Sequence, residues 1–168
     1  MDRSPYPNGT ERSAAAKGAA DIVVVIQADQ PGLNPMHLSA AIEALIDSGA
    51  DMATLGAPLT LPCDSPHVVK CLSGPHGRAL NFTRSSMTHP STSATHRHLG
   101  VYVYTREAIE RYVELGAHRR EKREDLEQLR ALEAGFDIRI VEVHDACPAV
   151  DTPSGVEPAE RWISRSIR

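Results

Sequence analysis

Cysteine is scarce in this chain: only Cys63, Cys71 and Cys147 occur, an odd number with no CxxC pair. That count excludes a disulfide scaffold and a four-cysteine zinc site, and it favours a reducing, cytoplasmic setting. Basic residues are also in the minority, 18 Lys+Arg against 22 Asp+Glu, for a formal net charge of -4. A surface of that sign does not neutralise a phosphate backbone, which argues against non-specific nucleic-acid binding. The longest apolar run, Ile22–Ile26, falls far short of the roughly 20 residues that span a bilayer. Residues 1–8 lack the apolar centre of a secretory signal. Internal repeats, a P-loop, the Rossmann glycine fingerprint, HExxH and GxSxG are all missing. What remains, 168 residues with 41% hydrophobic and 24% charged, is the profile of one globular domain spanning 1–168.

The pattern along the chain alternates strands and helices. Thr10 reads as the N-cap of a short Ala-rich helix that runs to about residue 20. Five consecutive β-branched residues, Ile22–Ile26, suggest a strand buried on both faces, as in the centre of a parallel sheet. A polar turn follows at 27–32. Asn34 and Pro35 then start a helix that Gly49 ends, with Asn as cap and Pro at the first helical position. Residues 51–57 form a second strand, so 22–56 reads as one right-handed β-α-β unit with parallel strands. A loop at 58–66 leads to a hairpin with arms 68–72 and 78–83. Residues 85–95, rich in Ser and Thr, read as an exposed mobile loop. Further segments are a strand at 98–104, a helix at 106–115, a charged amphipathic helix from 119 to 134 ended by Gly135, an alternating strand at 137–143 and a last helix after Pro153. Such alternation predicts a three-layer α/β domain.

In open α/β sheets, ligands settle beyond the carboxyl ends of strands. Asp29 stands at such a point, and one or two carboxylates there suit Mg²⁺ shared with substrate phosphates. Asp next to Gln-Pro-Gly is equally a turn former. Asp151, before Thr-Pro, carries the same pair of readings, metal ligand or helix cap. His98 and Tyr102 lie four apart on a strand and face the same way. Arg84 ends a strand, where a solvated guanidinium is the ordinary outcome. Glu127 and Gln128 sit side by side in a charged helical segment. His96 and His98 flank Arg97, whose charge disfavours a cation between them.

The islands gain weight from their order. Asn8-Gly9-Thr10-Glu11-Arg12, Val25-Ile26-Gln27-Ala28-Asp29-Gln30-Pro31, Asp51-Met52-Ala53-Thr54-Leu55, Val69-Lys70, Phe82-Thr83-Arg84, Arg97-His98-Leu99-Gly100-Val101-Tyr102, Leu126-Glu127-Gln128-Leu129-Arg130 and Val150-Asp151-Thr152-Pro153 follow one another as in a known family. Together they resemble the 3-deoxy-manno-octulosonate cytidylyltransferases, or CMP-Kdo synthetases, over nearly the whole chain.

The resemblance implies a nucleotidyltransferase-like (Rossmann-like) mixed sheet that joins the sugar acid Kdo to CMP from CTP, releasing pyrophosphate, for lipopolysaccharide or related surface glycans. By similarity, Asp29 and Asp151 are the catalytic carboxylates and hold Mg²⁺. Gln27, Arg84, His98, Tyr102, Glu127 and Gln128 surround the sugar acid, while Thr10 and Arg12 belong to the nucleotide side. A planar guanidinium suits the Kdo carboxylate, and amide, imidazole and phenol groups suit its hydroxyls. The partners implied are small molecules, CTP and Kdo, with no nucleic acid, no membrane insertion and a homodimer as the family arrangement. Family members open with a strand and a loop that grips the CTP phosphates. The match here begins after that unit, so the implied fold is N-terminally truncated, the C-terminal two-thirds of the family's. Ala28 and Gln30 stand where the family has Gly and Glu. Two other readings stay open: an inactive relative that binds a sugar acid or a partner subunit, and a cytidylyltransferase for another nonulosonic acid.

Overall fold

A computed structural model describes residues 6–88, 93–150 and 152–166. Its scaffold is a six-stranded sheet built around one long strand. The strands are β1 (Ile22–Ile26), β2 (Met52–Pro58), β3 (Lys70–Ser73), β4 (Ala79–Thr83), β5 (Ala94–Thr105) and β6 (Ile138–Glu142). Along one edge of β5, residues 94–97 pair with β3 and residues 101–105 pair with β1, both antiparallel. The other edge of β5 carries β2, also antiparallel, and β6 closes that side parallel to β2. β4 completes the far side as the hairpin partner of β3.

The described residues also form six α-helices, α1 (Gly9–Ala16), α2 (Pro35–Ser48), α3 (Arg106–Glu114), α4 (Arg119–Glu124), α5 (Gln128–Glu133) and α6 (Val156–Ser166). Side chains alternate across each strand, so β5 feeds two separate cores. Tyr102 and Tyr104 join Val23, Val25, Phe82, Ile109 and Leu129 on the face covered by α3 and α5. Val101 and Val103 join Leu55, Ala41 and Leu45 on the face covered by α2. That is the three-layer α/β arrangement, with a mixed sheet.

Several expectations change. β1 is not buried on both faces: Val23 and Val25 are buried, but Ile26 is 51% exposed. The reason is position, since β1 pairs only with β5 among the described strands and lies at an edge. β1 and β2 do run parallel, but β5 lies between them, so the β-α-β unit has no adjacent parallel pair. The N-cap of α1 is Asn8, whose side chain accepts from the Glu11 N–H; Thr10 is the second helical residue and fully buried. α2 has the expected ends, Asn34 accepting from Met36 N–H, Pro35 in the first turn and Gly49 left-handed at φ 64°. β5 starts earlier than residue 98, and the segment before it, 85–88, pairs Met87 with Cys63. Residues 89–92 lie outside the described part. The single helix expected from 119 to 134 is two, broken where Asp125 turns left-handed at φ 53°. Among the described residues, no helix is long and apolar enough to cross a membrane.

Candidate functional site

A cavity of ≈ 610 Å³ opens where β5 exchanges one neighbour for the other. The β3 side reaches as far as His98, whose N–H donates to the Val69 carbonyl at 2.8 Å, and β1 begins at Val101, which leaves Gly100 at a gap in the sheet edge. The chain leaving β1 supplies Gln27 and Asp29, and the chain entering β3 supplies 67–69. Arg84 follows β4, Asp125 to Gln128 come from the break between α4 and α5, and 148–149 close one side. Gly100 permits the narrow approach: a Cβ there would stand 3.2 Å from the Gln27 side chain.

One wall is an amide and carboxylate network. Glu127 Oε1 accepts from Gln27 Nε2 at 3.0 Å, and Oε2 accepts from the Thr10 N–H at 3.2 Å. Desolvation raises the Glu127 pKa against the pull of the Thr10 backbone and hydroxyl. Next to it, Gln128 Oε1 accepts from the Tyr102 hydroxyl at 3.0 Å. Gln128 is 1% exposed, and its Nε2 has no hydrogen-bond partner among the described residues. A buried amide donor of this kind is costly unless something accepts from it. Burial, and then the Glu127 charge, push the Tyr102 phenol well above its ordinary pKa, so it remains a neutral donor.

Another part of the lining presents positive charge. Arg84 Nε donates to the Glu124 carbonyl at 3.0 Å, Nη1 to the Pro66 carbonyl at 3.0 Å and Nη2 to the Asp125 carbonyl at 3.4 Å. The Glu124 carboxylate takes the Arg84 backbone N–H and the Thr83 hydroxyl instead, which lowers its pKa, the backbone bond first. Among the described residues, carbonyl dipoles rather than a carboxylate therefore hold the guanidinium. Behind it, the fully buried Lys70 ammonium donates to the carbonyls of Ser65 and Arg84 at 2.6 and 3.1 Å. A planar cation held this way is suited to a carboxylate or phosphate.

Gln27, Asp29, Arg84, His98, Tyr102, Glu127 and Gln128, drawn from four stretches of sequence, thus line one cavity. Thr10 stands behind its wall, its hydroxyl 3.4 Å from the Tyr104 hydroxyl, and Arg12 is exposed on α1. Asp151 lies outside the described residues. Its neighbour Val150 donates its backbone N–H to the Asp29 carbonyl at 2.9 Å. Sequence reasoning passed over Lys70, Arg97, Glu124 and Thr54 as functional residues. For Thr54 a signal existed, one hydroxyl inside an otherwise apolar strand; for Arg97, which also lines the cavity, there was none.

Comparison with known proteins adds to this geometry. The family model for cytidylyltransferases matches residues 1–140. A 3-deoxy-manno-octulosonate cytidylyltransferase of Bradyrhizobium sp. (strain ORS 278) is 41% identical, with 99% of this chain and 72% of the relative covered. The protein of the same name from Methylobacterium radiotolerans is 42% identical over 97% of this chain and 70% of its own length. A solved CMP:2-keto-3-deoxy-manno-octonic acid synthetase complexed with CTP superposes with a TM-score of 0.85 at 30% identity, covering 96% of this chain and 70% of the other.

Proposed function

From the premise that this chain belongs to the cytidylyltransferase family, we propose that it transfers CMP from CTP to the sugar acid Kdo and releases pyrophosphate. The observation that carries this reading is the meeting, in one cavity, of a guanidinium held by carbonyl dipoles, a carboxylate and a buried amide with a spare donor. Arg84 takes the Kdo carboxylate, a charged acceptor pair for its fork. Gln128 Nε2 and the Tyr102 phenol meet ring hydroxyls, and Gln27, held by Glu127, meets another. Thr10 and Arg12 we assign to the nucleotide side, where Thr10 acts through its contact with Glu127 and Arg12 through its charge on α1.

The reaction needs the anomeric hydroxyl of Kdo brought in line with the α-phosphorus, with pyrophosphate opposite. Holding both partners in one cavity supplies much of the rate, because it replaces a bimolecular encounter by a fixed approach. Asp29 offers the hard oxygen donors that Mg²⁺ takes, and the Val150–Asp29 hydrogen bond supports Asp151 as the second ligand. Bound there, Mg²⁺ would offset charge on the phosphate oxygens and lower the pKa of the sugar hydroxyl. We assign the reaction to the cytoplasm and to lipopolysaccharide or surface-glycan synthesis; the free thiols of Cys63, Cys71 and Cys147 support that compartment.

The test is pyrophosphate release. It is expected only when CTP, Kdo and Mg²⁺ are all present, and Asp29→Asn is expected to abolish it while the far-ultraviolet circular dichroism stays unchanged. Turnover retained in Asp29→Asn would remove Asp29 from the metal role. Calorimetric binding of Kdo without turnover would identify a sugar-acid-binding protein, and preference for a nine-carbon acid would change the substrate.

A further inference from the structure

His98 is 8% exposed, and its imidazole has one hydrogen-bond partner among the described residues, Thr54 on the neighbouring strand. Between Thr54 and Leu55 the pairing of β2 with β5 slips, from Tyr102 to Leu99, so Gly100 and Val101 have no partner residue on β2. The Thr54 hydroxyl fills that irregularity. Its Oγ1 is 2.6 Å from the Val101 carbonyl and 2.9 Å from His98 Nε2. A carbonyl can only accept, so the single hydroxyl proton is committed to Val101. What Oγ1 turns toward the imidazole is a lone pair, and Nε2 must therefore carry the hydrogen.

We propose that Thr54 is a positioning residue that holds His98 as the Nε2–H tautomer, so that Nδ1 offers a lone pair to the cavity and accepts from a hydroxyl of the substrate. Two rings reinforce the orientation: Phe82 meets the imidazole edge-on at 5.2 Å between centroids, and Tyr102 lies tilted at 5.5 Å. Nδ1 has no partner among the described residues, yet it is absent from the fully enclosed unpaired atoms, and the face that His98 opens is the cavity. Burial lowers the His98 pKa to about 3, which keeps the ring neutral in the working range. An imidazolium would instead donate at both nitrogens, and it would compete with Arg84 for the carboxylate. The acceptor thus adds a sense of discrimination that the donors Arg84 and Gln128 Nε2 do not supply. It favours a hydroxylated acid over a simple carboxylate or phosphate. This inference rests on the sugar-acid reading only for the identity of the hydroxyl donor.

The experiment has two arms. In the first, histidine is labelled with ¹⁵N in the full chain, and long-range proton–nitrogen correlation spectra are recorded without ligand. Wild type and Thr54→Ser should both show His98 with Nε2 protonated and Nδ1 bare. Thr54→Val, close in shape but without the hydroxyl, should show a mixture of tautomers. An Nδ1–H tautomer in the wild type, or an unchanged spectrum in a folded Thr54→Val, overturns the proposal. In the second arm, Kdo is titrated calorimetrically. Thr54→Val should weaken it roughly tenfold, the loss of about one hydrogen bond, and Thr54→Ser should restore affinity to within about threefold. Equal affinity in Thr54→Val and wild type overturns the substrate contact. Absence of Kdo binding in the wild type overturns the sugar-acid reading instead, while the first arm decides the tautomer on its own.

Discussion

At the scale of single residues, the most consequential charge outside the cavity is Arg130, 4% exposed on α5. Its guanidinium grips Glu121 through Nε and Nη2 at 2.8 and 2.7 Å and Glu11 through Nη1 at 2.7 Å, and it lies over the Tyr112 ring at 4.7 Å. These contacts tie α1 to α4 and α5, the segments that hold Glu127 between them. Arg130→Met would leave two carboxylates facing an apolar pocket. It is expected to cost about 3 kcal/mol in urea denaturation, because the partners of a removed buried ion stay behind. Glu11→Gln with Glu121→Gln in the same variant should recover part of that loss. His98 makes a prediction with the opposite character. Its folded pKa, about 3, lies below the 6.5 of the unfolded chain, so below pH 6.5 the unfolded state binds the extra proton. Stability should therefore decline as pH falls from 6.5 toward 3, and the decline should be shallower in His98→Gln. Urea midpoints at pH 5 and pH 7 measure it.

At the scale of elements, the break between α4 and α5 matters most for the cavity. Asp125 in the left-handed region turns the chain so that Leu126 packs inward, while Glu127 and Gln128 reach the site. Apart from Asp125, residues 119–134 are mostly strong helix formers, so periodicity reads straight through the break. Nothing local announces a left-handed aspartate; the turn is favoured by what it delivers, the Asp125 and Glu124 carbonyls to Arg84 and the Gln128 amide to Tyr102. α2 shows the converse. Its cap, its proline and its terminal glycine are local signals, and its bounds were readable from them. Asp125→Val, a branched residue forced to φ 53°, is expected to lose about 1–2 kcal/mol and to weaken Arg84's cradle. Asp125→Gly should stay within about 1 kcal/mol of wild type, since glycine adopts that conformation freely. Thermal denaturation separates the two.

At the scale of the molecule, what escaped the sequence is pairing. The β-branched run of β1 has the composition of an internal strand, and composition does not record that β5 stands between β1 and β2 or that β1 sits at the rim. The cavity candidates were legible because chemistry-bearing residues recur in a known order; Thr54 and Lys70 lie inside two of those islands, but each acts through another residue, and that role shows only in three dimensions. The rim position has a consequence of its own. β1 pairs with β5 along one side, and its other side faces no strand among the described residues, with Ile26 half exposed at its end. An apolar strand with unpaired amide and carbonyl groups is a template for a second chain, and a charge at such an edge discourages that pairing. Ile26→Lys is therefore expected to reduce concentration-dependent association in light scattering, with the unfolding free energy within about 0.5 kcal/mol of wild type, as for an exposed substitution. Association unchanged by the lysine would mean that the chains meet through another face. Association abolished together with folding would mean that Ile26 contributes to the core despite its exposure.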